Sequence, residues 1–216
     1  MTPRSPTRRT AAAPSVARPA AARPSVASSA PHEVRLIGGR FKRSKLPVPD
    51  RPGLRPTPAR VRETLFNWLG QELGGWRALD AFAGSGALGL EAASRGAAAA
   101  WLIETDPALV TSLQRTVQRL GAADAVRVQR GDALTVLRQQ AGQAWDVVFL
   151  DPPFGEEAVF EPALRAAAAA IGPDGFVYLE APVAWDDARL APLGLRVHRE
   201  GRAGAVVFHL LVPLAG

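Results

Sequence analysis

Between Arg77 and Glu180, five short apolar runs alternate with segments of helical periodicity, and that alternation leaves few architectures open. The runs are 77–82 (Arg-Ala-Leu-Asp-Ala-Phe), 99–104 (Ala-Ala-Trp-Leu-Ile-Glu), 125–130 (Ala-Val-Arg-Val-Gln-Arg), 145–151 (Trp-Asp-Val-Val-Phe-Leu-Asp) and 175–180 (Gly-Phe-Val-Tyr-Leu-Glu). Helical stretches fall between them, at about 87–95, 107–120, 132–140 and 157–171. Near-continuous apolar strands are covered on both faces, and helices between them make them parallel. The 107–120 helix is the clearest: Asp106-Pro107 starts it, Gly121 stops it, and Leu109, Leu113, Val117 and Leu120 form its buried stripe. The last segments, 193–200 and 204–213, are extended around Gly201 and Gly204 and read as an antiparallel pair at the sheet edge. The expected fold class is therefore α/β, a mostly parallel, doubly wound seven-stranded sheet with an antiparallel edge strand.

The first third of the chain differs. Residues 1–31 are nearly all Ala, Pro, Arg, Ser and Thr, cannot build a core, and read as a disordered basic tail. An Arg- and Ser-rich start also suggests an organelle transit peptide, but five prolines within residues 1–30 oppose the amphipathic helix such a peptide needs. Residues 32–70 read as a small basic unit. Val34-Arg35-Leu36-Ile37, Gly38-Gly39 and Arg40–Leu46 suggest a hairpin with a Gly-Gly turn. Thr57 as N-cap and Pro58 at the first helical position then start a helix reaching about Leu69. Val61, Leu65, Trp68 and Leu69 would line its buried side, with Arg60, Arg62 and Glu63 mostly elsewhere. Residues 71–216 form the core domain.

Charge follows the same division. Residues 1–30 hold five arginines and no acid, and residues 31–62 hold nine Lys or Arg against two acids. The remainder has twelve arginines against eighteen acids, so the net +6 sits wholly at the front. That asymmetry points to a polyanionic partner, nucleic acid first, met by the N-terminal part. The chain has no cysteine, which excludes disulfides and thiolate metal sites and suits a reducing cytoplasm. His32, His198 and His209 lack ligand spacing, so no metal is expected. No apolar stretch is long enough for a membrane span.

Two turns carry the chemistry. After the first core strand comes Asp80-Ala-Phe82-Ala83-Gly84-Ser85-Gly86-Ala-Leu-Gly89, with Glu104 closing the next strand. This is a nucleotide fingerprint: glycines admit a cofactor to the turn and an acid holds ribose hydroxyls. A dinucleotide is the rival cofactor, yet Asp80 would lie close to its pyrophosphate and repel it. S-adenosylmethionine carries an ammonium and a sulfonium and no phosphate, so Asp80 favours it. Asp132, followed by Ala133, can accept from an adenine amino group or cap the next helix, and both can hold. Asp106 reads as a cap.

The second turn, Asp151-Pro152-Pro153-Phe154, ends the fourth core strand. Two prolines end a ladder and fix the backbone stiffly. Asp151 and the Pro152 carbonyl then offer acceptors to an exocyclic amino group, and Phe154 offers a stacking face. Open parallel sheets bind ligands past the carboxyl ends of their strands, at the point where strand order reverses. That rule brings the two turns together.

The order of motifs resembles the Rossmann-like, S-adenosylmethionine-dependent amino-methyltransferases, whose fourth motif is Asn, Asp or Ser, then Pro-Pro and an aromatic. Arg35-Leu-Ile-Gly-Gly39, Lys45-Leu-Pro-Val-Pro49, Gly53-Leu-Arg-Pro-Thr57, Arg60–Leu69 and Ala81–Ala92 further resemble the RsmD family. The resemblance covers roughly residues 33–213. It implies methylation of the N2 amino group of one guanine in bacterial 16S ribosomal RNA, free or within an assembling small subunit, by a cytoplasmic and monomeric enzyme. It implies that Asp80 and Phe82–Gly86 line the methionine and ribose part of the cofactor, that Glu104 holds the ribose, Asp132 the adenine, and Asp151–Phe154 the base. Arg55 and Thr57 would close over the methionyl end. Arg40, Lys42, Arg43, Lys45 and Arg51 would grip phosphates. Alternatives are a DNA adenine-N6 or cytosine-N4 methyltransferase, sharing the Asp-Pro-Pro turn, a non-catalytic RNA-binding assembly factor, and a nicotinamide oxidoreductase, which Asp80 disfavours.

Overall fold

The computed structural model describes Met1 and residues 33–49, 57–153, 155 and 157–214. The tail over 2–31, Arg51, Arg55 and Phe154 lie outside the described residues. The chain runs β1 (Glu33–Arg35), β2 (Lys45–Pro47), α1 (Ala59–Trp68), β3 (Arg77–Asp80), α2 (Ala87–Ser94), β4 (Ala99–Glu104), α3 (Pro107–Leu120), β5 (Val126–Arg130) and α4 (Ala133–Gln139). It continues through β6 (Trp145–Leu150), a 3-10 turn, α5 (Phe160–Ala170), β7 (Ile171–Ala181), α6 (Asp187–Leu190), β8 (Leu195–Ala203) and β9 (Val206–Pro213).

The main sheet has the order β5-β4-β3-β6-β7-β9-β8. The five strands from β5 to β7 are parallel, and β9 runs antiparallel to both β7 and β8. Strand order therefore reverses between β3 and β6, where the two turns were expected to meet. Alternate residues feed opposite faces. Leu79, Val148 and Leu179 pack under α4 and α5, while Ala78, Phe149 and Tyr178 pack under α1.

The helix α3 matches its expected bounds because its ends are chemically marked. Asp106 accepts from the Ala108 and Leu109 amides, and Gly121 closes it with φ +61°. Elsewhere the structure corrects the reading. The hairpin has no tight Gly-Gly turn, since β2 begins only at Lys45 and a loop over 36–44 joins the strands. Gly39 instead presses on the end of α2: its φ is +68°, and a Cβ there would lie 1.8 Å from the Ser94 carbonyl oxygen. Ser94 Oγ accepts from the Phe41 amide at 2.9 Å. Thr57 does not cap α1: Pro58 takes the cap position, with no side-chain hydrogen bond there. The strand expected from 175 starts at Ile171, with a register shift between Trp145 and Val147 that lets the 172–175 segment bulge.

Arg62 is the largest departure. It is buried, and its guanidinium meets Glu91 Oε2 at 3.3 Å while donating to the carbonyls of Arg35 (3.0 Å) and Thr57 (3.2 Å). Glu91, itself buried, also accepts from the amides of Ile37 (2.9 Å) and Gly38 (2.8 Å) and from Arg95 Nε (2.9 Å). Two buried charges are thus offset by each other and by backbone partners. The hairpin adds Val34, Leu36, Leu46 and Val48 to a cluster with Leu90, Leu102, Leu113 and Val117 of the core.

Candidate active site

Parallel strands deliver their last residues to one edge, and here they deliver acids. Asp80 ends β3, Glu104 ends β4, Asp132 follows β5, Asp151 follows β6, and Glu180 stands one residue before the end of β7. Asp80 is buried and accepts from the Gly89 amide through Oδ2 at 2.9 Å. Its Oδ1 makes no hydrogen bond among the described residues. Burial pushes its carboxyl up to about 7, helped by the Glu104 charge and opposed by the Gly89 and Phe82 amides.

The glycine turn folds beneath Glu104. Glu104 accepts from the Gly84 amide through Oε2 at 2.9 Å and from the Asp106 amide through Oε1 at 2.8 Å. Gly84 and Gly86 have φ of +52° and +80°, which explains glycine at both. Ala83 and Ser85 are buried beside them, and Phe82 is half-buried. A buried carboxylate with an unsatisfied oxygen, next to a second carboxylate, suits a cation and repels a diphosphate. The ammonium and sulfonium of S-adenosylmethionine fit that donor set. Asp132 accepts from the Thr135 amide (2.8 Å) and hydroxyl (2.6 Å), which hold its carboxyl below the usual range, and Ala133 is buried behind it. It is therefore a cap, and adenine recognition through it stays compatible.

Beside the β3 turn, Asp151 and Pro152 line a small cavity of about 60 Å³ with Gly155, Phe160, Glu180 and Pro182. Pro153 points outward. The Thr57 hydroxyl donates to Asp151 Oδ2 at 3.1 Å. So the Thr57 side chain meets the Asp151-Pro152 turn and does not cap α1. Burial holds Asp151 well above the ordinary carboxylate range, the Glu180 and Asp80 charges push the same way, and the Thr57 hydroxyl opposes them. Burial also raises Glu180, against the pull of Thr57, Tyr178 and Arg62. The Tyr178 hydroxyl donates to Glu180 Oε1 at 2.9 Å.

Glu180, Tyr178 and Arg62 are the residues that sequence reasoning missed. The signal for Glu180 was present: an acid closes the apolar 175–180 run as Asp151 closes the 145–151 run. Of the basic residues expected to meet phosphate, Arg40 donates to the Gly121 carbonyl at 2.8 Å and Lys45 pairs with Glu33 at 2.9 Å. Lys42 and Arg43 are exposed on the 36–44 loop. Among the described residues no cluster of three or more His, Asp or Glu is arranged to hold a metal ion, and no helix is long and apolar enough to cross a membrane.

Comparison with known proteins agrees with this geometry. Residues 34–212 match the family model described as "Conserved hypothetical protein 95". The chain is 44% identical over 179 residues to ribosomal RNA small subunit methyltransferase D of Escherichia coli, covering 82% of this chain and 89% of that one. It is 37% identical over 188 residues to the protein of the same name from Haemophilus influenzae, covering 84% and 95%. Among solved structures it superposes on Escherichia coli yhhF with a TM-score of 0.72 and 37% identity, covering 85% of this chain and 99% of that chain.

Proposed function

From the premise that this chain belongs to the RsmD family of ribosomal RNA small subunit methyltransferases, we propose that it methylates the exocyclic N2 of one specific guanine in bacterial 16S ribosomal RNA. The observation that carries the reading is that β3 and β6 lie side by side where strand order reverses, so that Asp80, ending one strand, and Asp151, following the other, are close enough for the Asp80 charge to act on Asp151. S-adenosylmethionine, when bound, supplies an electrophilic methyl carbon on a sulfonium. Asp80, Phe82–Gly86 and Glu104 hold it, with Asp132, Ala133, Arg55 and Thr57 completing the site.

The chain's own residues do the rest by positioning and electrostatics. Guanine N2 is a poor nucleophile because its lone pair is delocalised into the ring. Asp151 and the Pro152 carbonyl accept its hydrogens and favour a pyramidal nitrogen whose lone pair is free to attack. Thr57, donating to Asp151, holds that carboxylate in place and favours its ionised form. A base must leave its stack to enter, and Phe154 recovers part of that cost, about 1–3 kcal/mol for base–aromatic stacking. Residues 32–70 act as the RNA-binding extension and 71–216 as the catalytic core. Arg40, Lys42, Arg43, Lys45 and Arg51 meet phosphates. The partner is 16S RNA within an assembling small subunit, and the enzyme works as a cytoplasmic monomer.

The test uses immature small subunits, purified protein and methyl-labelled S-adenosylmethionine, followed by nucleoside digestion and mass spectrometry. One new N2-methylguanosine is expected, lost with Asp151→Ala. Label in N6-methyladenine or N4-methylcytosine of duplex DNA, with none in the RNA, would overturn the assignment.

A further inference from the structure

The target pocket holds a second carboxylate that the methyl-transfer reading does not use. Glu180 is buried and lines the same cavity as Asp151 and Pro152. Its placement follows from strand register: Leu150 of β6 lies opposite Leu179 of β7, so the next residues, Asp151 and Glu180, fall side by side on one face. Tyr178, two residues earlier on that face, donates to Glu180 Oε1 and leaves the side chain facing the cavity. Arg62 bears on it electrostatically from α1, but its own close contact is with Glu91 at 3.3 Å.

A paired acceptor site is a selective one for bases. Guanine presents two adjacent donors on its Watson–Crick edge, N1–H and N2–H. Adenine and cytosine place an acceptor nitrogen next to their amino groups. Two acceptor carboxylates match the first edge, and the second of them repels the lone pair of the others. We propose that Glu180 is the specificity-determining residue of the target pocket, accepting from guanine N1–H while Asp151 accepts from N2–H. An Asp-Pro-Pro turn alone takes any exocyclic amine; with Glu180 beside it the site takes guanine. The inference rests on the guanine-N2 reading above and refines it.

The discriminating substrate is 2-aminopurine, which keeps the 2-amino group and has an acceptor at N1 where guanine has a donor. Small subunits carrying guanine or 2-aminopurine at the methylated position are compared by kcat/KM for wild type and Glu180→Gln. A site built to pair a substrate N–H rejects the analogue lacking it strongly, so wild type should favour guanine by about 10³-fold or more. Glu180→Gln gains a donor for N1 of 2-aminopurine, and the preference should shrink by about 100-fold. Unchanged affinity for S-adenosylmethionine shows that the variant is folded. If it is not, Tyr178→Phe, which frees Glu180 from its orienting hydroxyl, carries the same comparison and should narrow the ratio. Equal use of both bases by wild type, or an unchanged ratio in the folded variant, overturns the inference. No transfer to guanine by wild type overturns the guanine-N2 reading instead.

Discussion

With Asp80 in its proposed cofactor-holding role, binding is expected to depend on pH, and the raised carboxyl gives the size of the effect. Burial raises its carboxyl to about 7 in the free protein. A cation against the unsatisfied Oδ1 favours the ionised form, so binding expels a proton wherever the free protein holds one. At pH 6 a group titrating near 7 is about one-tenth ionised, and at pH 8 about nine-tenths. Affinity for S-adenosylmethionine should therefore fall about tenfold between pH 8 and pH 6. Titration calorimetry in buffers of different ionisation enthalpy measures both the affinity and the released proton. Asp80→Asn isolates the residue from any titration of the cofactor itself: it should bind more weakly at pH 8 and lose the slope. The stability of the free protein carries the opposite sign. With the folded pKa above the unfolded 3.8, Asp80's contribution is fully present below pH 4 and is lost as pH rises through 7. At 1.36 kcal/mol per pKa unit the loss is about 4 kcal/mol. A wild-type affinity that is flat between pH 6 and 8, or an Asn variant that keeps the slope, would refute this account.

Three further outcomes follow from named contacts. Thr57→Val removes the hydroxyl that lowers the Asp151 pKa, so the acid limb of the kcat–pH profile should move to higher pH and kcat at pH 7 fall about tenfold; an unmoved profile counts against the Thr57 role. Glu91→Ala strands buried Arg62 and two amides, and urea unfolding should show a loss of about 3–5 kcal/mol, whereas a loss under about 1 kcal/mol would mean the pair is dispensable. Lys42→Ala with Arg43→Ala should weaken RNA binding and lower the slope of log affinity against log salt by about 1 per lost phosphate contact, measured by filter binding; an unchanged slope moves the RNA surface elsewhere.

Much of this molecule was legible because its signals are local. Asp106-Pro107 and Gly121 mark both ends of α3, and a carboxylate closing an apolar run marks a strand end at the ligand edge. The Asp80 and Asp151 turns were placed correctly from the strand alternation alone. What escaped depends on contacts far along the chain. Thr57 has the residue type and position of a helix cap, and only its 3.1 Å bond to Asp151 shows a different employment. Arg62 reads as a surface arginine until Glu91 is brought against it. The Gly38-Gly39 pair has the look of a tight turn, while its real constraint is the backbone of Ser94. Glu180 needed the β6–β7 register before its partner could be identified.

The Glu91 junction also orders events during synthesis. Residues 33–49 leave the ribosome well before Glu91, the carboxylate that satisfies the Ile37 and Gly38 amides from more than fifty residues later in the chain. Until α2 has emerged, the basic segment lacks its anchor, and its three-residue strands are too short to hold alone. The nascent chain is therefore expected to carry residues 33–49 without their Glu91 anchor until β3 and α2 are complete. The N-terminal hairpin and the glycine turn at the head of α2 are thus expected to become ordered in the same step, because one carboxylate ties the first to the helix that follows the second.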